Sequence, residues 1–126
     1  MSCLFDSLSN FLLNNQNQKI DPHELRQTIC DFLENNPKIM DEVSISDITQ
    51  WESNIPLKDY IKKMRLDSTW GGAIEIRCFC IMFKTNIVVH LNNKEIVFNS
   101  PDKSKTNIHL HYTGSHFTPI KLEKII

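Results

Sequence analysis

Two residues near opposite ends of the sequence are of the types that acyl-transfer chemistry uses. Cys3 directly precedes Leu4, Phe5, Leu8, Phe11 and Leu12, which recur at helical spacing, so its thiol stands where a helix begins. Backbone N–H groups and the macrodipole at a helix N-terminus favour negative charge, and the thiolate is the nucleophilic form of cysteine. His116 follows Tyr112-Thr113-Gly114-Ser115, a turn after a strand, which is a common way to hold a side chain at a surface cleft. A histidine held there is a base for a thiol. On spacing alone the signal is weak, since a cysteine beside a helix start is more often structural and a strand-end histidine is usually just solvated.

The remaining candidates are weaker. His109 and His111 lie two apart on a strand pattern and so share a face, a spacing that can bind zinc, but no third ligand lies near them in the sequence, and no metal is expected. Cys78 and Cys80 are two apart on a helix pattern, so they point to different faces and suit neither a disulfide nor a shared metal. Cys30, inside another helix pattern, is expected to be a small buried hydrophobe. His23 and His90 have no argued role. Lys58, Lys62, Lys63 and Arg65 read as a solvated helix face.

The elements that must hold Cys3 and His116 can be read from periodicity. The first helix fades into Asn14-Asn15-Gln16-Asn17-Gln18. Asp21-Pro22-His23-Glu24 starts a second, with Asp as cap, Pro at the first position and Glu three after the cap; Leu25, Ile29, Phe32 and Leu33 form its stripe, and Asn36-Pro37 stops it. Between Ser46 and Met64, Pro56 divides two short helices, with Ile48, Trp51, Leu57, Tyr60, Ile61 and Met64 inward. Asp67 to Gly72 is a turn, and Ala73 to Phe83 is a helix apolar on most faces, hence central. Phe79 and Phe83 on it, with Val88 and Leu110 from the strands, are expected to be nearly fully buried. The texture then becomes β-branched. Strands are expected at Asn86–Leu91, Glu95–Asn99, Asn107–Thr113 and His116–Leu122, with Ser100 to Thr106 a loop. In the third, Ile108, Leu110 and Tyr112 face one way and His109 and His111 the other. Helices first and a small, mostly antiparallel sheet after them make an α+β domain.

Composition narrows the function. A chain of 126 residues with 40% apolar residues fits one domain, 1–126, acting as a monomer. A net charge of -1 predicts no pull toward nucleic acid or anionic membrane. There is no membrane-spanning apolar run, and MSCLFDSLSN lacks the basic flank of a signal peptide, so a cytoplasmic protein with free thiols is expected.

In four blocks, in order, the sequence resembles the ovarian-tumour (OTU) family of papain-like cysteine deubiquitinases. Cys3-Leu4-Phe5-Asp6-Ser7-Leu8-Ser9 resembles the nucleophile block, whose usual form is Asp-Gly-x-Cys-Leu-Phe-Arg-Ala-Leu-Ser. His23-Glu24-Leu25-Arg26 with Ile29 and Phe32-Leu33 resembles the helix that follows it. Tyr60 to Met64 and Thr69-Trp70-Gly71-Gly72-Ala73-Ile74-Glu75 resemble a Tyr…Met…Trp-Gly-Gly…Glu block. Asn86-Ile87-Val88-Val89, Ile108 to Tyr112 and Gly114-Ser115-His116-Phe117 resemble the closing strands. The resemblance implies a papain-like fold and cleavage of the isopeptide bond after the C-terminal glycine of ubiquitin or a ubiquitin-like modifier, with no cofactor. Cys3 would attack the carbonyl, His116 would carry the proton, and Trp70, Gly71 and Gly72 would line the channel for the tail. The alternative readings for those three are a core aromatic and a helix-start turn.

Two positions depart from the family pattern. Its Asp three before the cysteine has no counterpart in the sequence, and Met1 stands in place of its Gly. The residue two after the histidine, often Asn or Asp, is Thr118, whose hydroxyl can orient the imidazole but brings no charge. The expectations are therefore either that the natural reading frame is longer, or that this is a weak enzyme or a module that binds ubiquitin without cleaving it. A hydrolase for another acyl substrate is a third class, since fold does not fix function.

Overall fold

The computed structural model describes residues 3–39, 56–101, 106–113 and 116–119. Along them run α1 (Cys3–Gln16), α2 (Pro22–Asn35), α3 (Leu57–Met64), α4 (Ala73–Phe83), β1 (Asn86–His90), β2 (Glu95–Phe98), β3 (Asn107–Tyr112) and β4 (Phe117–Pro119).

Local chemistry accounts for most boundaries. Asp21 caps α2 by accepting the His23 N–H at 3.1 Å, and Pro22 occupies the first turn, where its missing donor is not needed. Pro56 precedes α3. Gly72 is the N-cap of α4, and Lys84 ends it in a left-handed conformation (φ 51°) that turns the chain into β1. Of the inward positions expected around Pro56, Tyr60, Ile61 and Met64 are buried and Leu57 is half-buried; Ile48 and Trp51 lie outside the described residues.

The sheet has the order β2-β1-β3-β4. β1 pairs antiparallel with β2 and β3 antiparallel with β4, but the central pair, β1 and β3, is parallel. Two hairpins lie side by side, so the return from β2 to β3 must cross back to the starting edge, and the sheet is mixed. Ile87, Val89, Ile108, Leu110, Tyr112 and Phe117 form the buried face, while His109 and His111 are half-buried on the other, as the alternation in β3 requires.

α4 lies against β1 and β2, α2 packs on α4 and α3, and α1 packs on α2 and β4. Phe79 and Leu110 are fully buried and Val88 nearly so, but Phe83 is half-exposed, because it sits in the last turn of α4 where the helix leaves the sheet. Arg65 is not a free member of a solvated lysine face: it bonds Asp31 of α2 at 2.7 Å and Gln27 at 3.0 Å.

Candidate functional site

α1 presents Cys3 as its first residue, half-exposed, and buries Leu4 and Phe5 directly behind it. Of the four cysteines it alone is not buried. Burial pushes the Cys30 and Cys80 thiols up to about 12 and raises that of Cys78 further, which leaves those three as inert hydrophobes.

The far end of the chain meets α1 at this point. The Phe117 N–H donates to Cys3 Sγ at 3.4 Å, across 114 residues of sequence. Phe117 is anchored by its buried ring, 4.6 Å from that of Tyr112. His116 is the residue just before it, exposed, with its backbone tied to Thr113: the His116 N–H donates to Thr113 Oγ1 at 3.2 Å, and the Thr113 N–H to the His116 carbonyl at 3.1 Å. The hairpin thereby carries the backbone of His116 and Phe117 to the thiol's end of α1.

A third segment closes the group. Trp70, half-buried, has its ring 6.4 Å from that of His116. Gly71 lies against α1 so closely that a Cβ there would stand 2.7 Å from Leu4 Cδ2 and 3.0 Å from Phe5 Cε2, so glycine is the residue that fits. The Gly72 N–H donates to Glu75 Oε1 at 2.7 Å. Both glycines are buried, so the helix-start packing expected of them is present, and the ring of Trp70 stands by the imidazole.

Thr118 is exposed, two residues beyond His116, and is paired across the sheet with His111. Among the described residues no hydrogen bond joins it to the imidazole. His109 lies elsewhere on the same outer face, its Nδ1 2.8 Å from His90 Nε2, and among the described residues no group of three potential metal ligands forms.

The sequence reading passed over the buried polar groups behind this site. Arg26, fully buried among the apolar positions of α2, lies 4.3 Å from the Phe5 ring centroid and donates to the Met64 carbonyl at 2.8 Å. Glu75, also fully buried, accepts from the Tyr60 hydroxyl at 2.6 Å. The signal for Glu75 was in the sequence: it stands three after the helix-opening Gly72, the spacing at which a side chain reaches back to an N-cap N–H. Arg26 fell in a family-like block, but periodicity gave no sign of its burial, since a helical stripe does not tell a buried arginine from a flanking one.

The arrangement brings the residue next to His116 onto the Cys3 thiol and sets the Trp70 ring by the imidazole; among the described residues no hydrogen bond joins the thiol to the His116 ring. The model of the OTU-like cysteine protease family matches residues 2–119. The chain is 24% identical over 123 residues to the Arabidopsis thaliana ovarian tumor domain-containing deubiquitinating enzyme 7, which covers 95% of the chain and 30% of that protein, so the chain spans under a third of the relative's length. An OTU deubiquitinase from Wolbachia pipientis wMel, crystallised bound to ubiquitin, superposes with a TM-score of 0.72 at 19% identity, covering 95% of this chain and 89% of that one. An ovarian tumor domain in complex with ubiquitin gives a TM-score of 0.71 at 27% identity, covering 94% of this chain and 62% of that one. The fold is the OTU fold, and the chain belongs to the family of OTU-like cysteine proteases.

Proposed function

We propose that the chain is a thiol deubiquitinase, a single domain in which Cys3 attacks the carbonyl of the C-terminal glycine of ubiquitin or a ubiquitin-like modifier, breaking its bond to the lysine amine. His116 takes the thiol proton and passes it to the departing lysine amine. The thioester left on Cys3 is hydrolysed by water, which releases the modifier's C-terminal carboxylate and restores the thiol. Trp70 walls the cleft for the tail, with Gly71 and Gly72 setting its position. The observation that carries this reading is the contact of the Phe117 N–H with Cys3 Sγ, which delivers the residue next to His116 to the start of α1 and aims a donor at the sulfur.

A second reading, a module that binds ubiquitin without turning it over, is favoured by one observation: Thr118 does not hold the imidazole among the described residues, and a mis-set tautomer leaves a thiol without its base. Incubation with ubiquitin carrying a C-terminal electrophile, followed by intact mass, separates the two. The deubiquitinase reading expects one added ubiquitin on the chain and none on Cys3→Ala, which also loses all turnover. An unmodified wild-type chain that still binds ubiquitin supports the second reading, and no binding at all overturns both.

A further inference from the structure

Glu75 is the most buried acid of the described residues, and its surroundings have a direction. One carboxylate oxygen receives the Gly72 N–H at 2.7 Å, the other the Tyr60 hydroxyl at 2.6 Å. Tyr60 belongs to α3 and is itself buried, and Gly72 opens α4. The carboxylate thus ties two helices together at the residue that follows Trp70 and Gly71. Gly72, lacking a side chain, offers no cap of its own, so Glu75 supplies the capping bond from inside the helix.

We propose that Glu75 is a positioning residue for the cleft: clamped by Tyr60, it fixes the Trp70–Gly72 turn so that the Trp70 ring stands beside His116 and the wall for the substrate's tail is formed before substrate arrives. The proposal rests on the deubiquitinase reading for what the wall receives, and on this geometry alone for the clamp. Its physical basis is pre-organisation. Gly71 is wedged against the buried Leu4 and Phe5, which hold their place in the core, so a small displacement of Gly72 is transmitted outward to Trp70. A carboxylate accepts both bonds at once. A glutamine of the same size can keep its oxygen on the Gly72 N–H and donate its N–H₂ to the Tyr60 hydroxyl oxygen, so it keeps the contacts but loses the charge that strengthens them.

Ionisation strengthens the clamp, because hydrogen bonds to a charged acceptor are the stronger kind. Burial holds the Glu75 carboxyl up at about 7, opposed by the two hydrogen bonds and by the Arg26 charge; Cys30, Cys78 and Tyr60 are the other titratable groups around it. The clamp therefore tightens as pH rises through neutrality.

The test uses the full chain, Glu75→Gln and Tyr60→Phe. In wild type, the Gly72 amide proton resonance is expected to move downfield with a midpoint near pH 7, and Glu75→Gln is expected to abolish that titration. With a fluorogenic ubiquitin substrate, Glu75→Gln is expected to raise KM about fivefold, the difference between charge-assisted and neutral hydrogen bonds, with kcat within about twofold. Tyr60→Phe, which leaves the Gly72 bond in place, is expected to keep the titration and raise KM less. Alkylation of Cys3 by iodoacetamide should proceed at the wild-type rate in both variants, which shows a folded α1 terminus. A Glu75→Gln protein with wild-type KM overturns the clamp while leaving the deubiquitinase reading intact, and a Gly72 resonance that does not titrate near neutrality overturns the clamp's pH dependence. A wild-type chain that neither binds nor cleaves ubiquitin, yet shows the titration, overturns the assignment of the wall together with that reading.

Discussion

At the scale of single residues, Thr118 is the position where the protein's chemistry is most open to change. An orienting group selects the imidazole tautomer that faces the thiol, and a charged one also stabilises the imidazolium. Threonine brings no charge, and its hydroxyl is not on the ring among the described residues. Thr118→Asn places a longer acceptor two residues from His116 on the same side of β4. It is expected to raise kcat roughly threefold to tenfold, less than a full carboxylate supplies in a serine protease, because a thiol ionises more readily. Steady-state turnover of a fluorogenic ubiquitin substrate measures it; an unchanged kcat would mean that another group orients His116. Cys3 and His116 were legible at this scale from residue type and block order. The burial of the pair behind them was not: the spacing of Glu75 from Gly72 offered a capping bond, but nothing local said that Glu75 and Arg26 lie inside.

At the scale of elements, α4 is the helix on which the core depends, and its two phenylalanines test how it is seated. Phe79 is fully buried; Phe83, one turn later, packs its ring 4.7 Å away but is half-exposed. Phe79→Ala is expected to destabilise the domain by about 3–5 kcal/mol through lost burial and a cavity, and Phe83→Ala by roughly half as much because part of its ring is already in water. Urea denaturation of both variants checks the ratio. Equal losses would mean that α4 is rotated or extended relative to this packing. The apolar periodicity of α4 marked it as central but could not distinguish its faces, since Ile74, Ile76, Phe79, Ile81, Met82 and Phe83 surround the axis; the sheet chose the buried side. The strands were better defined. Strict alternation in β3 separated Leu110 from His109 and His111 before any partner strand was known, because a pleat leaves no third direction.

At the scale of the whole molecule, the buried titratable groups fix how stability follows pH. In the native state Glu75 holds its proton up to about 7, against 4.5 for the unfolded chain, so between those values the folded form binds more protons and stability falls as pH rises, by about 3 kcal/mol in all. The buried thiols Cys30 and Cys80 repeat the trend above their ordinary value of 9.0, being held up to about 12, so alkaline pH destabilises the fold again. Thermal melts across this range should show Tm declining from pH 5 to pH 8, and Glu75→Gln should flatten that decline without altering the alkaline loss; a wild-type Tm that rises over the same interval would contradict a carboxyl buried in this way. The clamp that orders the cleft and the acid that weakens the fold on ionising are thus one group. The sequence by itself determined the helices, the strands, the family blocks and the candidate thiol and imidazole, because periodicity, caps and residue type are local properties of a chain. Tertiary structure decided what is not local: that β1 and β3 run parallel, that Phe117 reaches Cys3 across 114 residues, that Gly71 has no room for a side chain, and that Glu75 and Arg26 lie inside. Each of these depends on which distant surfaces meet, and contact between distant surfaces is set by the packing of the complete core rather than by any stretch of sequence.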